Sequence, residues 1–268
     1  MISEAAGFGL RLENYSPLTH HFDEMVGADG APRSHWARVV NFLSSLNREG
    51  LAHRWDEGRR VIQQNGITYN VYGDPLSVDR PWPLDPIPLI LDPAEWASIE
   101  AAIIQRATLL NAILKDLYGP QRLLYDRQLP AELVLAHPSY LRQCHGVMQP
   151  GGSFLHLYAA DLARSPDGKW WVIADRAQAP SGTGYALENR MVSNRTMPDL
   201  LSRSNVRPLE EFFQTLMRTL LEIAPSHREN PRVVLLTPGP YNETYFEHAL
   251  LARRLGISLV EGGDLVVR

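Results

Sequence analysis

The sequence has a single cysteine, no excess of basic residues and no recognisable leader. With Cys144 alone, the 268 residues cannot form an internal disulfide, which fits a reducing compartment. The 26 Lys and Arg against 30 Asp and Glu give a formal net charge of −4, which argues against a basic surface for nucleic acid. The first residues lack the basic start and apolar core of a signal peptide, and no apolar run approaches the roughly 20 residues that span a bilayer. We therefore expect a cytoplasmic protein with no nucleic-acid or membrane partner.

Several catalytic motifs are absent as well. The sequence contains no nucleophile elbow and no GxGxxG segment, so hydrolase and dinucleotide-binding functions lack support. The histidines are scattered, and the pairs Cys144-His145 and His20-His21 have no partners at the spacing of a zinc site. Structural roles are favoured for these residues.

The order of the expected elements divides the chain into four segments. Residues 1–33 have weak periodicity and several Gly and Pro breakers, which predicts an irregular lead. Residues 34–150 are expected to be mainly helical, 151–230 to hold a β-hairpin, a loop and further helices, and 231–268 to begin an α/β unit. The predicted fold class is therefore mixed, α+β or α/β, with a central antiparallel hairpin and the start of a parallel unit.

The clearest predicted helix begins at Asp92-Pro93-Ala94-Glu95, with Asp92 as N-cap, proline at N1 and Glu95 at N3. Apolar side chains then recur at steps of three and four residues as far as Leu117, and Gly119-Pro120 ends the run. Further helices are expected over residues 34–46, 51–64, 208–223 and 243–255.

The last part of the sequence predicts a strand–helix–strand unit. Residues 233–236 and 257–260 have the composition of buried strands, and the helix between them implies a parallel pair. Two strands cannot cover both faces of such a sheet, and the sequence ends in an apolar run, 265–268, expected to be a further strand. We therefore expect the N-terminal portion of a longer protein, with its C-terminal remainder as a partner.

The most specific stretch lies between residues 154 and 190. Ser165-Pro166-Asp167-Gly168 is a turn sequence, because proline presets φ, aspartate tolerates the bridge region and glycine accepts positive φ. The flanking runs 154–164 and 169–177 therefore predict an antiparallel β-hairpin. Pairing Arg164 with Lys169 sets its register.

This register decides which side chains meet on each face of the hairpin. It places Asp161 opposite Val172, and because side chains alternate along a strand, Asp161, Ala174 and Arg176 share one face. Asp161 then either binds a metal ion or forms an ion pair with Arg176 across the strands. The opposite face is expected to carry Asp175, Tyr158 and Arg164.

The loop Pro180-Ser181-Gly182-Thr183-Gly184 opens a helical run over residues 185–192. Backbone N–H groups at such a loop–helix junction can hold an anion. The alternative is a helix N-terminus capped by Ser181, and spacing alone favours that alternative because the loop is no Walker motif.

Longer motifs resemble a known family. ADLARSPDGKWWVIADRAQAPSGTGYALENR looks like the signature of circularly permuted type 2 ATP-grasp proteins, which are relatives of the synthetase half of glutathionylspermidine synthase. The resemblance continues in TPGPYNETYFEHALLARRLGISLVEGGDLVVR and, upstream, in PWPLDPIPLIL and LKDLYGPQRLL. It covers most of the chain from about Trp36. It implies a permuted ATP-grasp-like fold and the ATP-dependent joining of a carboxylate to an amine through an acyl-phosphate, with Mg²⁺ on the phosphates.

The resemblance also implies roles for particular residues. Metal ligation is expected of Asp161 and Asp175, and charge neutralisation at the phosphates, the catalytic role, of Arg176 and Arg190. The phosphate-binding set is Ser181, Gly182, Thr183 and Gly184. The loop after the first strand of the α/β unit, where such sheets collect ligands, supplies the substrate-binding residues Tyr241, Asn242 and Glu243. The alternative for this loop is a plain connection in which Asn242 caps the next helix.

One departure from the family pattern bears on the mechanism. The family is expected to have an acidic residue and an asparagine where this chain has Ala174 and Arg176. Arginine cannot ligate a metal, although it can clamp a phosphate with two hydrogen bonds. A second function therefore stays open beside the ligase, namely a non-catalytic module that binds a peptide or a partner through the same cleft.

Overall fold

The computed structural model describes residues 15–70, 80–224 and 230–267. The α-helices of these ranges are α1 (Ala37–Ser45), α2 (Arg48–Gln64), α3 (Pro93–Leu117), α4 (Arg122–Tyr125), α5 (Ala131–Leu135), α6 (Thr183–Thr196), α7 (Pro198–Ser202), α8 (Glu210–Glu222) and α9 (Tyr245–Leu255). The strands are β1 (Ala159–Arg164), β2 (Trp170–Arg176), β3 (Val234–Leu236) and β4 (Ser258–Val260). The fold is mixed helix and sheet, as the sequence predicts.

The irregular lead is described from residue 15 onward, and the rest of that prediction lies outside the described residues. Residues 15–33 contain turns and one isolated bridge, between Val26 and Pro32. The ring of Phe22 lies between the guanidinium groups of Arg33 and Arg164, 4.3 and 4.4 Å from its centroid. These cation–π contacts attach the lead to the hairpin.

Two apolar clusters hold the helical part together. In the first, the buried face of α1 packs on α7 and comprises Trp36, Val39, Val40, Leu43, Met197 and Leu200. In the second, the end of α2 packs on α6 and comprises Val61, Ile62, Ile67, Tyr185 and Val192. Burying each such side chain contributes about 1.5–3 kcal/mol. Both clusters join helices on the two sides of residue 150, and the predicted division into four segments stays a prediction.

Helix α3 follows its sequence signals closely. Asp92 caps it by accepting hydrogen bonds from the Ala94 and Glu95 amides, at 2.8 and 3.4 Å, and the helix ends at Leu117 before Gly119. The Glu95 carboxylate does not turn back to the cap; it accepts instead from Arg164 at 2.6 Å and from Trp170 Nε1 at 3.1 Å, and so ties α3 to the hairpin.

Most of the surface of α3 is exposed. Among the described residues it is the one helix long and apolar enough to cross a membrane by length and composition, with a mean hydropathy of 1.2 over its best window. One such helix is weak support for a membrane span. Its Arg106 and Glu100 form ion pairs with Asp175 and Arg207, which hold the helix against the body of the protein.

The hairpin is confirmed, but its predicted register is wrong. Arg164 pairs with Trp170, because the Gly168 amide donates to the Ser165 carbonyl and the Ser165 amide donates to the Lys169 carbonyl, with Gly168 at φ +84°. An irregularity between Asp161 and Leu162 then adds one more residue to β2, so that Asp161 lies opposite Ala174 and not Val172. The two offsets sum to two residues, and the face of Asp161 is therefore retained.

The parallel strand–helix–strand unit is confirmed. Strands β3 and β4 pair in parallel from Val234 with Ser258 to Leu236 with Val260, and α9 connects them. The strand predicted over 265–268 is not found in the described residues 265–267, which follow a short 3-10 turn, Gly262–Asp264, and are exposed.

Candidate functional site

The outer face of the hairpin carries an ion pair between Asp161 and Arg176. Arg176 Nε lies 3.1 and 3.0 Å from the two carboxylate oxygens of Asp161, and its Nη2 lies 2.8 Å from one of them. The arginine lowers the pKa of Asp161, and both side chains are about half exposed. The prediction that these residues are neighbours on one face is confirmed, with the carboxylate already neutralised by the guanidinium.

Asp175 lies on the opposite face, against α3. Its carboxylate accepts two hydrogen bonds of 2.6 Å from Arg106 and one of 2.5 Å from the Tyr158 hydroxyl. The hydrogen bonds from Arg106, and to a lesser extent the one from Tyr158, lower the pKa of Asp175 to about 2. Tyr158 is thus the neighbour that the sequence predicts. Arg164 shares this face, as predicted, but lies six residues beyond Tyr158, where its buried guanidinium pairs with Glu24 and Glu95.

The residues expected to hold Mg²⁺ do not fit a metal site in this structure. Asp161 and Asp175 point to opposite faces of the hairpin and cannot share an ion. Within residues 15–70, 80–224 and 230–267, no three His, Cys, Asp or Glu side chains lie together as metal ligands would. Mg²⁺ prefers an octahedral set of oxygens, whereas each of these carboxylates is committed to an arginine.

The loop–helix junction at the start of α6 holds a carboxylate. Glu247, from α9, is 1% exposed and accepts hydrogen bonds from the Gly182 amide at 2.7 and 2.8 Å and from the Gly184 amide at 2.7 Å. The Thr183 hydroxyl lies 3.5 Å from the same side chain. Ser181 is exposed and makes no cap, so Glu247 satisfies amides that a helix N-terminus leaves open.

Two glycines permit this arrangement. Gly182 has φ +116°, which L side chains rarely adopt. A Cβ on Gly184 would lie 2.8 Å from Glu247 Cγ, so only glycine lets α9 approach this closely. The next residue, Tyr185, donates from its hydroxyl to the Thr68 carbonyl at 2.7 Å and stacks on Trp82, and burial raises the pKa of its phenol. Rigid packing therefore fixes the first turn of α6.

Sequence analysis missed Glu247. The residue lies 63 positions beyond Gly184, so no local pattern joins the two. A signal was present in α9 itself, where Glu247 stands three residues before the buried Leu250 and hence on the apolar stripe of the helix. An acidic residue on such a stripe is seldom buried without hydrogen-bond partners.

Arg190, the other predicted phosphate contact, lies two turns into α6, about 10 Å along the helix axis from Thr183. Its Nη1 donates to the Arg207 carbonyl at 2.8 Å, and its side chain borders a cavity between α6, α7 and the start of α8. Burial lowers the pKa of this guanidinium. Arg190 therefore makes no contact with Asp161 in the part of the chain that the structure describes.

The loop after β3 is organised by a buried hydrogen-bond chain. The Gly239 amide donates to Thr237 Oγ1 at 3.1 Å, Thr237 Oγ1 and His248 Nδ1 are 2.9 Å apart, and His248 Nε2 is 3.2 Å from Thr244 Oγ1. Burial lowers the pKa of His248, although Glu247 opposes this effect. A neutral imidazole that donates from Nε2 fits every contact in the chain.

The predicted substrate residues surround this chain of hydrogen bonds. Tyr241 and Glu243 are exposed, and Asn242 accepts hydrogen bonds from the Thr244 amide and hydroxyl at 3.0 and 2.8 Å. Asn242 therefore closes a turn and does not cap α9, whose N-cap is Thr244. Because Glu247 and His248 are adjacent, this loop lies beside the α6 junction. The substrate role itself stays a prediction.

The sequence matches known proteins along most of its length. Residues 88–268 match the family described as circularly permuted ATP-grasp type 2. A protein of Synechocystis sp. is 39% identical over 258 residues, which are 96% of this chain and 53% of the relative. A Mycobacterium tuberculosis protein is 42% identical over 255 residues, 92% of this chain and 29% of the relative. A Mycobacterium leprae protein is 36% identical over 247 residues, which are 92% of this chain and 43% of the relative. All three are described as uncharacterised, and the chain spans about half of their length or less.

Proposed function

The chain belongs to the circularly permuted type 2 ATP-grasp family, and from that premise we propose that it is part of an ATP-dependent ligase that joins a carboxylate to an amine. A carboxylate oxygen would attack the γ-phosphorus of ATP and release ADP. The amine would then attack the acyl carbon, lose a proton and release phosphate, leaving an amide. A relationship to the synthetase half of glutathionylspermidine synthase is part of this proposal.

One observation carries the proposal beyond family membership: the α6 junction binds a carboxylate. The Gly182 and Gly184 amides, with the positive end of the helix behind them, already hold the oxygens of Glu247. Such a donor set also suits the developing oxyanion of a phosphorylated carboxylate, and fixed amide donors stabilise that charge without reorganisation. In the proposed reaction the substrate oxygens would replace Glu247 at this junction.

Charged and polar side chains would then position the reactants. Arg176 would neutralise phosphate oxygens, since a guanidinium group binds them with two parallel hydrogen bonds. The loop with Tyr241, Asn242 and Glu243 would contact the amine or peptide substrate. These residues would act by positioning and electrostatic stabilisation and form no covalent bond to substrate.

The chain spans about half the length of these relatives or less. We propose that a C-terminal remainder is its partner and supplies much of the nucleotide-binding region. Residues 1–268 alone should therefore show little ATP turnover, and the chain joined to its remainder should show much more. Robust turnover by the 268-residue chain alone would contradict this division of labour.

Trapping the acyl-phosphate tests the reaction. The chain with its remainder would be incubated with Mg²⁺, ATP, pooled amino acids and dipeptides, and hydroxylamine, which converts acyl-phosphates to hydroxamates. We expect hydroxamate and ADP in equal amounts, and a strong loss of both in Arg176→Gln but not in Arg195→Gln, an exposed arginine of α6 paired with Glu57. ATP consumption without hydroxamate would refute acyl transfer.

A non-catalytic binding module is the second candidate, and two contacts favour it. Asp161 is bound by Arg176, and the α6 amides are bound by Glu247, so both expected reaction groups have internal partners. A ligand that binds only the folded state raises the melting temperature by mass action. A rise with Mg²⁺-ATP supports the ligase, and a rise with peptides but not with ATP supports the module.

A further inference from the structure

The cavity beside Arg190 combines one cation with apolar walls. Its volume is about 510 Å³, within the range of roughly 300–1,000 Å³ that is usual for ligand pockets. We call it the Arg190 groove. Its walls are formed by Leu187, Arg190, Met191, Asn194, Pro198, Leu201, Ser202, Val206, Pro208, Leu209 and Glu210.

The charge of the groove is not balanced within the described chain. The Arg190 guanidinium donates to the backbone carbonyl of Arg207. Within residues 15–70, 80–224 and 230–267, no carboxylate pairs with this guanidinium. The one acidic wall residue, Glu210, forms an ion pair with Arg254 on α9. Burial without a counterion is also what lowers the pKa of Arg190. A partly buried cation in this state favours an anionic ligand.

The walls decide what kind of anion fits. Apart from Arg190 and Glu210, they are apolar or neutral, and two of the apolar wall residues, Met191 and Val206, are 48% and 38% exposed. Apolar surface of this kind is covered favourably by a hydrocarbon group. A phosphate dianion needs more than one cation and several hydrogen-bond donors to bind well, whereas a carboxylate carries the single negative charge that Arg190 can neutralise.

We propose that the Arg190 groove binds a small organic carboxylate with an apolar body, its carboxylate on Arg190 and its body along Met191 and Val206. The binding stands on the groove alone.

The test is a titration of the full chain with hexanoate in the absence of ATP, followed by ligand-observed NMR at constant ionic strength. We expect saturable binding with a dissociation constant on the order of 1 mM, the range for so small a ligand. Hexanamide has the same body without the charge and should bind at least about 10-fold more weakly, and so should inorganic phosphate. Equal binding of hexanamide or of phosphate would overturn the proposal.

Variants locate the site. Arg190→Gln should weaken hexanoate binding by about 10-fold or more, while Arg195→Gln, on the same helix, should change it by less than about 2-fold. Val206→Glu places a like charge at an exposed position of the wall and should also abolish binding, which keeps the test decisive if Arg190→Gln unfolds. Unchanged binding in Val206→Glu, or no binding of hexanoate to the unmodified chain, would refute the site. Because no ATP is present, either result is independent of whether the ligase reaction occurs.

Discussion

Replacing Glu247 by glutamine is expected to destabilise the protein, because the carboxylate is the partner of the amides that open α6. The side chain is buried, and its oxygens accept hydrogen bonds from Gly182 and Gly184. Glutamine has nearly the same shape, but it keeps only one acceptor oxygen and turns an NH₂ group toward an N–H donor. The substitution therefore removes a bond and a charge without opening a large cavity.

The magnitude follows from these two losses. A hydrogen bond to a charged group contributes about 1.5–3 kcal/mol. The charge beside a helix N-terminus adds about 0.3–1 kcal/mol. We expect Glu247→Gln to lower the free energy of unfolding by about 2–4 kcal/mol, or the melting temperature by roughly 5–15 °C. Glu247→Ala removes both oxygens and leaves a void, so its loss should be larger.

Urea unfolding followed by circular dichroism measures the change, with Glu222→Gln as the control. Glu222 is exposed at the end of α8, and the same substitution there should stay within about 0.5 kcal/mol of the unmodified chain. A Glu247→Gln variant that is equally close to the unmodified chain would refute the argument, because the amides would then have no need of the carboxylate.

The alanine variant also tests whether the junction accepts a free anion. Acetate is expected to raise the melting temperature of Glu247→Ala by mass action, and to leave the unmodified chain unchanged at the same ionic strength. Chloride at the same concentration serves as the control for general salt effects. Phosphate is tested in the same way. If neither acetate nor phosphate raises the melting temperature of Glu247→Ala, the result would count against an oxyanion site at α6.

Three further perturbations have defined outcomes. Burial lowers the pKa of His248, so the folded state takes up a proton less readily than the unfolded state. The free energy of unfolding should therefore fall as the pH drops below the ordinary histidine pKa of about 6.5. His248→Gln should reduce this dependence on pH in urea unfolding measured between about pH 7.5 and about pH 5.5. Gly168→Ala should cost about 1–2 kcal/mol from its φ of +84°, and more from Phe22, whose ring lies 2.8 Å from the added Cβ, as thermal melting would show. Asp161→Asn should leave the melting temperature within about 2 °C, because exposed ion pairs contribute little, and a larger drop would contradict the exposed pair seen here.

The hairpin shows how far local sequence reasoning reaches. The turn residues predict the hairpin because their backbone preferences are local, and Asp92 predicts the start of α3 for the same reason. The register depends on how many residues the turn leaves unpaired and on the irregularity beside Asp161, neither of which side-chain alternation reveals. The Asp161–Arg176 prediction nevertheless succeeded, because two one-residue offsets return each side chain to its original face.

Long-range partners account for most of what the sequence did not predict. Ser181 is a reasonable helix cap on local grounds, but a carboxylate from α9 reaches the same amides and makes a stronger, charge-assisted contact. Likewise, Arg164 shares the face of Asp175, as predicted, but its partners Glu24 and Glu95 come from distant segments that the hairpin pattern does not reveal. Both differences come from packing between elements that are far apart in the sequence.

The internal partners of the expected reaction groups differ greatly in how easily they can be exchanged. Arg176 and Asp161 are about half exposed, so water screens their pairing and a phosphate could take the arginine at little cost. Glu247 is buried, and moving it would leave its charge and two amides without partners unless another anion arrived at once. Arg190 has no carboxylate to release in the described chain and is ready for a ligand. The exchange at Glu247 is therefore the step whose energetics decide between a ligase and a binding module.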